Sequence, residues 1–280
     1  MLGFGKDQGS DMTCDTHRVI SEEKPVVLAA AAHPDDIEFM MAGTLLRLKA
    51  AGAEIHMWNL ANGHCGTARH TRADIIHMRA TEAEASARLG GALSHPALFD
   101  DLGVFYDQPS LARVGAVVRQ IRPTIILTHS PQDYMEDHQN VCRLIVTAAF
   151  ARGMRNFETH PPQASWDAPV AVYHAMPHGL ADGLGRRIQP DAYVNTASVI
   201  PLKREMLACH SSQKEWLDVS QGMDAYLNEM ERMSAEVGRM SGRFTHAEGW
   251  RLHSRLGFGP EQFNPLEQLL KGDYDGTTAE

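Results

Sequence analysis

Apolar positions along the chain fall into short unbroken runs separated by longer segments of mixed polarity. Pro25–Ala32 is the first such run, the pattern of a strand covered on both faces. Ile37–Ala51 reads as a helix with Gly52 as its stop. Glu54–Ala61 is a second strand, and the loop Asn62–Thr67 follows with turns at Gly63 and Gly66. Asp74–Leu89 has Ala, Glu, Arg and Met at helical density and ends at Gly90–Gly91. Leu111–Ile121 places Val114, Val117, Val118 and Ile121 at steps of three and four, and Pro123 closes it. Thr124–Thr128 is another buried strand, and Asp137–Ala151 a further helix. Strand and helix alternating in this way imply parallel pairing through right-handed crossovers. The expected fold is therefore α/β, a Rossmann-like open, mostly parallel sheet flanked by helices.

The second half is less regular. Gly153–Pro169 reads as a loop and Val170–Ala175 as one more strand. His178–Asp191, glycine-rich and carrying Arg186 and Arg187, reads as a surface loop. Helices are expected over Leu202–Leu217 and Gly222–Met240. In the latter, Met223, Leu227, Met230, Met233, Val237 and Met240 form an apolar stripe, suited to the domain's own core or to a homo-oligomer interface. With no repeat or clear linker, one domain over residues 25–280 is expected after a polar arm over 1–24.

Composition narrows the classes. The 280 residues carry 26 Lys and Arg against 35 Asp and Glu, a net charge of −9 that argues against nucleic acid as a partner. A 43% apolar and 22% charged balance is that of a globular chain, and no apolar run reaches the roughly 20 residues of a membrane span. The N-terminus has no hydrophobic segment of a signal peptide, so a cytoplasmic location is expected. Cys14, Cys65, Cys142 and Cys209 are far apart with no CxxC pair, which predicts reduced thiols and no cysteine-based zinc site. The 15 histidines direct attention to metal or proton chemistry.

Ligands of an open parallel sheet bind outside the C-terminal strand ends. Two loops on that edge carry metal-ligand residue types: His33-Pro34-Asp35-Asp36 after the first strand, and Asp133 to His138 after Thr124–Thr128. His33, Asp36 and His138 would present two imidazoles and a carboxylate, a set that suits catalytic zinc with one position left for water. Asp35 stands beside it as a proton acceptor, and Asp137 as a carboxylate that orients an imidazole. His64, in the Asn62–Thr67 loop, and His210 are further residues within reach of the same edge. Nucleotide binding is disfavoured because the first turn lacks Gly-x-Gly. His174 and His178 have the spacing of a zinc-protease helix, but Pro177 and the missing Glu exclude it.

The stretch AAHPDDIEFMMAGTLLRLKAAGAEIHMWNLANGHCGT resembles the signature of the PIG-L (LmbE-like) metal-dependent deacetylases. MRATEAEASARLG, IRPTIILTHSPQDYMEDH, LKREMLACHSSQ and HAEGWR resemble later segments of that family, in family order, from about Pro25 to Arg251. The resemblance implies a zinc-dependent hydrolase that removes acetyl from a small N-acetylated, sugar-like substrate. It implies His33, Asp36 and His138 as metal ligands and Asp35 as general base. Two positions depart from the family pattern. Ile37 stands where Glu usually follows the Asp pair, with Glu38 next. Met135 replaces the first histidine of His-Pro-Asp-His, the group credited with stabilising the oxyanion or protonating the amine, which methionine cannot do. Tyr134, His64 or His210 could take that role, or Asp35 could carry the proton both ways. A metal-dependent hydratase or lyase of the same fold, acting on a small unsaturated acid, is the alternative.

Overall fold

The computed structural model describes residues 24–213 and 223–276. The four apolar runs become strands, and with one further short strand they form five adjacent parallel ones: β1 (Val26–Ala31), β2 (Glu54–Asn59), β3 (Leu93–His95), β4 (Ile125–Thr128) and β5 (Ala171–Ala175). Their order is β3-β2-β1-β4-β5, so the chain moves outward from β1 and then returns to its other side at β4. A crevice opens at the strand ends where that reversal occurs. Val27, Ala29 and Ala31 face one hydrophobic cluster and Leu28, Ala30 and Ala32 the other. Burial on both faces is why β1 reads as a continuous apolar run rather than an alternation.

Beyond β5 the sheet continues antiparallel through β7 (Ala247–Leu252), β6 (Ala192–Asn195) and β8 (Tyr274–Gly276), giving eight strands among the described residues. The sequence reading lacks these three strands and β3. Each is short or holds a buried polar residue, such as Glu248 in β7, so its pattern carries no clear period.

The expected helix Ile37–Ala51 is in fact two, α1 (Asp36–Met40) and α2 (Ala42–Ala50), divided at Met41. The cause lies far away in the chain. Glu248 accepts hydrogen bonds from the amides of Gly43 (2.8 Å) and Thr44 (2.7 Å), which satisfies the free donors of a new helix start. Its other partner is Lys203 Nζ at 2.7 Å, and both side chains are almost fully buried. A Cβ at Gly43 would lie 2.5 Å from Thr196 Cγ2, so the close approach there requires glycine.

Helix α3 (Arg72–Leu89) starts at Thr71, whose hydroxyl caps the Asp74 amide. Helix α4 (Gln108–Ile121) begins earlier than expected because Asp107 caps the Ser110 amide at 2.8 Å and Pro109 occupies its first turn. Further helices among the described residues are α5 (Glu136–Phe150), α6 (Ile200–Ala208), α7 (Met223–Ser241) and the short α8 (Pro265–Leu270). The helix expected over Leu202–Leu217 is interrupted after Ala208, and residues 214–217 lie outside the described residues, as does the polar arm except for Lys24. In α7, Leu227, Met230, Met233 and Val237 are buried in the sheet's own core and Met240 packs against it. That apolar stripe is covered within the chain, Met223 lying outside the described side chains.

Candidate metal centre

The turn after β1 is built around Asp35, a non-glycine residue at φ 107°. Such a conformation persists only where the surroundings impose it. Asn59 Nδ2, at the end of β2, donates to the His33 carbonyl at 2.5 Å, and Arg79 of α3 donates to the Pro34 carbonyl. The Asp35 carbonyl accepts the Phe39 amide at 2.9 Å, and Asp36 Oδ2 accepts the His33 amide at 2.7 Å. The result turns the three polar side chains of His33, Asp35 and Asp36 towards one crevice.

His33, Asp36 and His138 each offer a ligand-type atom, and these atoms lie within 4.8 Å of one another. Both imidazoles are held by carboxylates on their outer side. His33 Nε2 lies 3.1 Å from Asp137 Oδ2, leaving Nδ1 to face Asp36 Oδ2 at 3.5 Å. His138 Nδ1 lies 3.0 Å from Asp133 Oδ1, leaving Nε2 to face the same Asp36 oxygen at 3.3 Å. Nδ1 of one ring and Nε2 of the other thus point inward, towards Asp36. Two nitrogens and one carboxylate oxygen with carboxylates behind the rings is a donor set that fits a divalent transition ion.

Electrostatics follow from burial and these contacts. Burial disfavours the His33 imidazolium, but hydrogen bonds to Asp137 and Asp36 outweigh it and raise its pKa to about 9. For His138 burial is likewise overcome, by the Asp36 charge and the Asp133 hydrogen bond, and the value rises to about 10. Burial pushes the other way on Asp36, yet the three neighbouring histidines hold it well below the usual carboxylate range. Asp35 is different: burial raises it to about 6 although Arg79, with Nη2 3.3 Å from Oδ2, pulls it down.

A cavity of about 470 Å³ opens over this cluster, bordered by His33, Asp35, Asp36 and His138 together with Phe39, Tyr134, Met135 and Tyr226. Tyr134 is about half-exposed and its ring centre is 5.7 Å from that of His138. His64 and His210 do not border the cavity. His64 turns to Asn62 Oδ1 (3.2 Å) and the Asp101 amide (3.3 Å), while His210 is buried 3.1 Å from Glu38. Glu38 also accepts the Ser86 hydroxyl at 2.6 Å, so it faces the interior rather than the crevice. Arg186 and Arg187 stay outside the cavity as well, Arg187 pairing with Glu236.

Several participants escaped the sequence reading. Asp133 lies within a quoted motif, but only the fold shows that it, and not Asp137, backs His138. His129 follows β4 directly, stacks on His138 at 4.0 Å, and accepts the Ala32 amide at Nε2 (2.8 Å). A histidine immediately after a buried strand was the available signal. Arg79 and Tyr226 come from helices whose sequence is ordinary.

Residues 28–149 match the family model described as PIG-L, GlcNAc-PI de-N-acetylase. Over that stretch the chain carries the PIG-L (LmbE-like) family pattern. A diacetylchitobiose deacetylase of Thermococcus kodakarensis is 28% identical over 232 residues, covering 80% of this chain and 82% of that protein. A 4-oxalmesaconate hydratase of Pseudomonas putida is 26% identical over 212 residues, covering 72% and 79%. Among solved structures, N,N'-diacetylchitobiose deacetylase from Pyrococcus horikoshii superposes with a TM-score of 0.69 at 20% identity, covering 86% of this chain and 88% of that one.

Proposed function

We propose that this protein is a zinc-dependent amide hydrolase that removes acetyl from a small, sugar-like N-acetylated substrate. The observation that carries the reading is the pairing of the His33–Asp36–His138 cluster with the buried carboxylate of Asp35 at its edge. A zinc ion held by His33, Asp36 and His138 would supply Lewis acidity to an amide carbonyl and lower the pKa of a water to about 7. Asp35, with its pKa near 6, is ionised at neutral pH and basic enough to accept a proton. Arg79 keeps that carboxylate in place and stabilises its charged form.

The amine cannot leave unprotonated, and Met135, which borders the cavity, has no proton to give. Asp35 returns to the nitrogen the proton it accepted. The Tyr134 phenol, whose pKa burial and the nearby Asp36 and Asp133 charges raise, stays neutral and is placed to donate a hydrogen bond to the developing oxyanion. Phe39 and Tyr226 offer apolar faces and Glu229 and Gln213 polar ones, a lining suited to a sugar ring. The diacetylchitobiose deacetylases among the relatives support this substrate class.

Met135 also favours a second reading, hydration of a small unsaturated acid, because one relative is a hydratase. Incubating the metal-loaded protein with N-acetylhexosamines and their short oligomers separates the two. Acetate release supports the deacetylase. No acetate from any of them, together with water addition to an unsaturated dicarboxylate, would sink it.

A further inference from the structure

The loop after β2 and the loop after β3 meet beside the metal centre. Asp101 Oδ1 accepts the Gly63 amide at 2.6 Å and Oδ2 the Cys65 amide at 2.8 Å, which fixes the carboxylate against the residues that carry His64 and Cys65. Cys65 Sγ is 3.5 Å from His64 Nε2, and His64 Nδ1 is 3.9 Å from Asp101 Oδ2. One ligand-type atom from each of the three residues lies within 4.8 Å of the others. Thiolate, imidazole and carboxylate together form a donor set for borderline and soft divalent cations.

The local charge favours the same occupant. Burial and the carboxylates of Asp101, Asp137 and Asp100 hold the Cys65 thiol above its ordinary value, with Arg72 opposing them, so it is a poor nucleophile by itself. A negative field that disfavours a bare thiolate attracts a cation, and a coordinated thiol is deprotonated.

We propose that His64, Cys65 and Asp101 form a second divalent-metal site, selective for thiophilic ions such as zinc or cadmium, in the wall of the substrate cavity. Cys65 and Asp101 border the same cavity as His33, Asp36 and His138. The next residue, Leu102, donates its amide to Asp137 at 2.7 Å, the carboxylate that also holds His33. An ion bound there narrows the substrate's space and draws on the loop that supports His33. Excess zinc is therefore inhibitory, and inhibition depends on Cys65.

Cobalt(II) titration of the full chain tests the site without reference to turnover. Wild type is expected to develop thiolate-to-cobalt charge-transfer absorption in the near ultraviolet, and Cys65→Ser to lose it while staying folded by circular dichroism. Metal analysis after equilibrium dialysis against zinc should find one equivalent fewer in Cys65→Ser than in wild type. Absence of the thiolate band in wild type, or an undiminished band in Cys65→Ser, overturns the proposal. His138→Ala separates it from the catalytic reading: it should keep the thiolate band while losing a different equivalent. An unchanged stoichiometry in His138→Ala would count against the catalytic ligand set alone.

Discussion

Asp137 Oδ2 lies 3.1 Å from His33 Nε2, across 104 residues of sequence, and not against its chain neighbour His138. The same oxygen accepts the Leu102 amide at 2.7 Å. One carboxylate thus fixes a ring from the loop after β1 and the backbone of the loop after β3, and His138 takes Asp133 instead. The two rings are set by two separate carboxylates from one motif.

Removing the charge from that contact should weaken metal binding without unfolding the protein. Asp137→Asn is expected to lower zinc affinity by about 10- to 100-fold, the usual cost of losing an outer carboxylate partner. Competition with a chromophoric chelator measures it. Wild-type affinity in the variant would show that the Asp137–His33 contact does not tune the site.

Asp35→Asn should leave metal content intact and reduce acetate release by roughly 10²- to 10⁴-fold, the range for a lost general base. Metal analysis beside a turnover assay reads both quantities. Loss of metal in this variant would reverse the roles assigned to Asp35 and Asp36.

Met135→His restores a proton donor at the cavity wall and should raise deacetylation, whereas Tyr134→Phe should lower kcat more than it changes KM. If neither substitution alters kcat, the oxyanion and proton assignments fail together.

Glu248→Ala should cost about 3–5 kcal/mol, because it strands the buried Lys203 ammonium and leaves the Gly43 and Thr44 amides unpaired. Urea unfolding at neutral pH gives the value. A loss under about 1 kcal/mol would mean that water or another group replaces the carboxylate at little cost.

Acid should destabilise the fold through His174. Burial, only partly offset by the His129 carbonyl, lowers its pKa from 6.5 to about 4, with His253 and Arg251 adding to the depression. Its neutral form costs nothing above pH 6.5. As pH falls from there through about 4 the unfolded chain takes up a proton that the folded one refuses, so stability declines by up to roughly 3 kcal/mol. Replacing His174 with a residue that does not titrate, such as Asn, should flatten the stability profile over that window. An unchanged slope would assign the acid sensitivity elsewhere.

Much of this was legible in the chain alone. Runs such as Val27–Ala32 are apolar at every position because both sheet faces are covered, and that is a one-dimensional signal. His33, Asp35 and Asp36 sit within one turn, and the strand before and helix after that turn follow from local pattern. The family segments from Pro25 to Arg251 lie in order, and LKREM and HAEGW meet through Lys203 and Glu248.

What the sequence could not carry is any contact whose partners lie far apart in the chain. The division of Ile37–Ala51 into two helices is imposed by Glu248, some 204 residues away, and nothing in the helix itself foretells it. Asp137 belongs to His33 rather than to His138 because a helix presents consecutive residues about 100° apart, so the neighbour in sequence points elsewhere. His64 and Cys65 met no CxxC rule, since Asp101 reaches them from 36 residues onward. Local hydrogen-bonding preference and apolar periodicity write the strands, helices and turns into the chain. Which carboxylate backs which imidazole is decided only when the sheet brings distant loops to one edge.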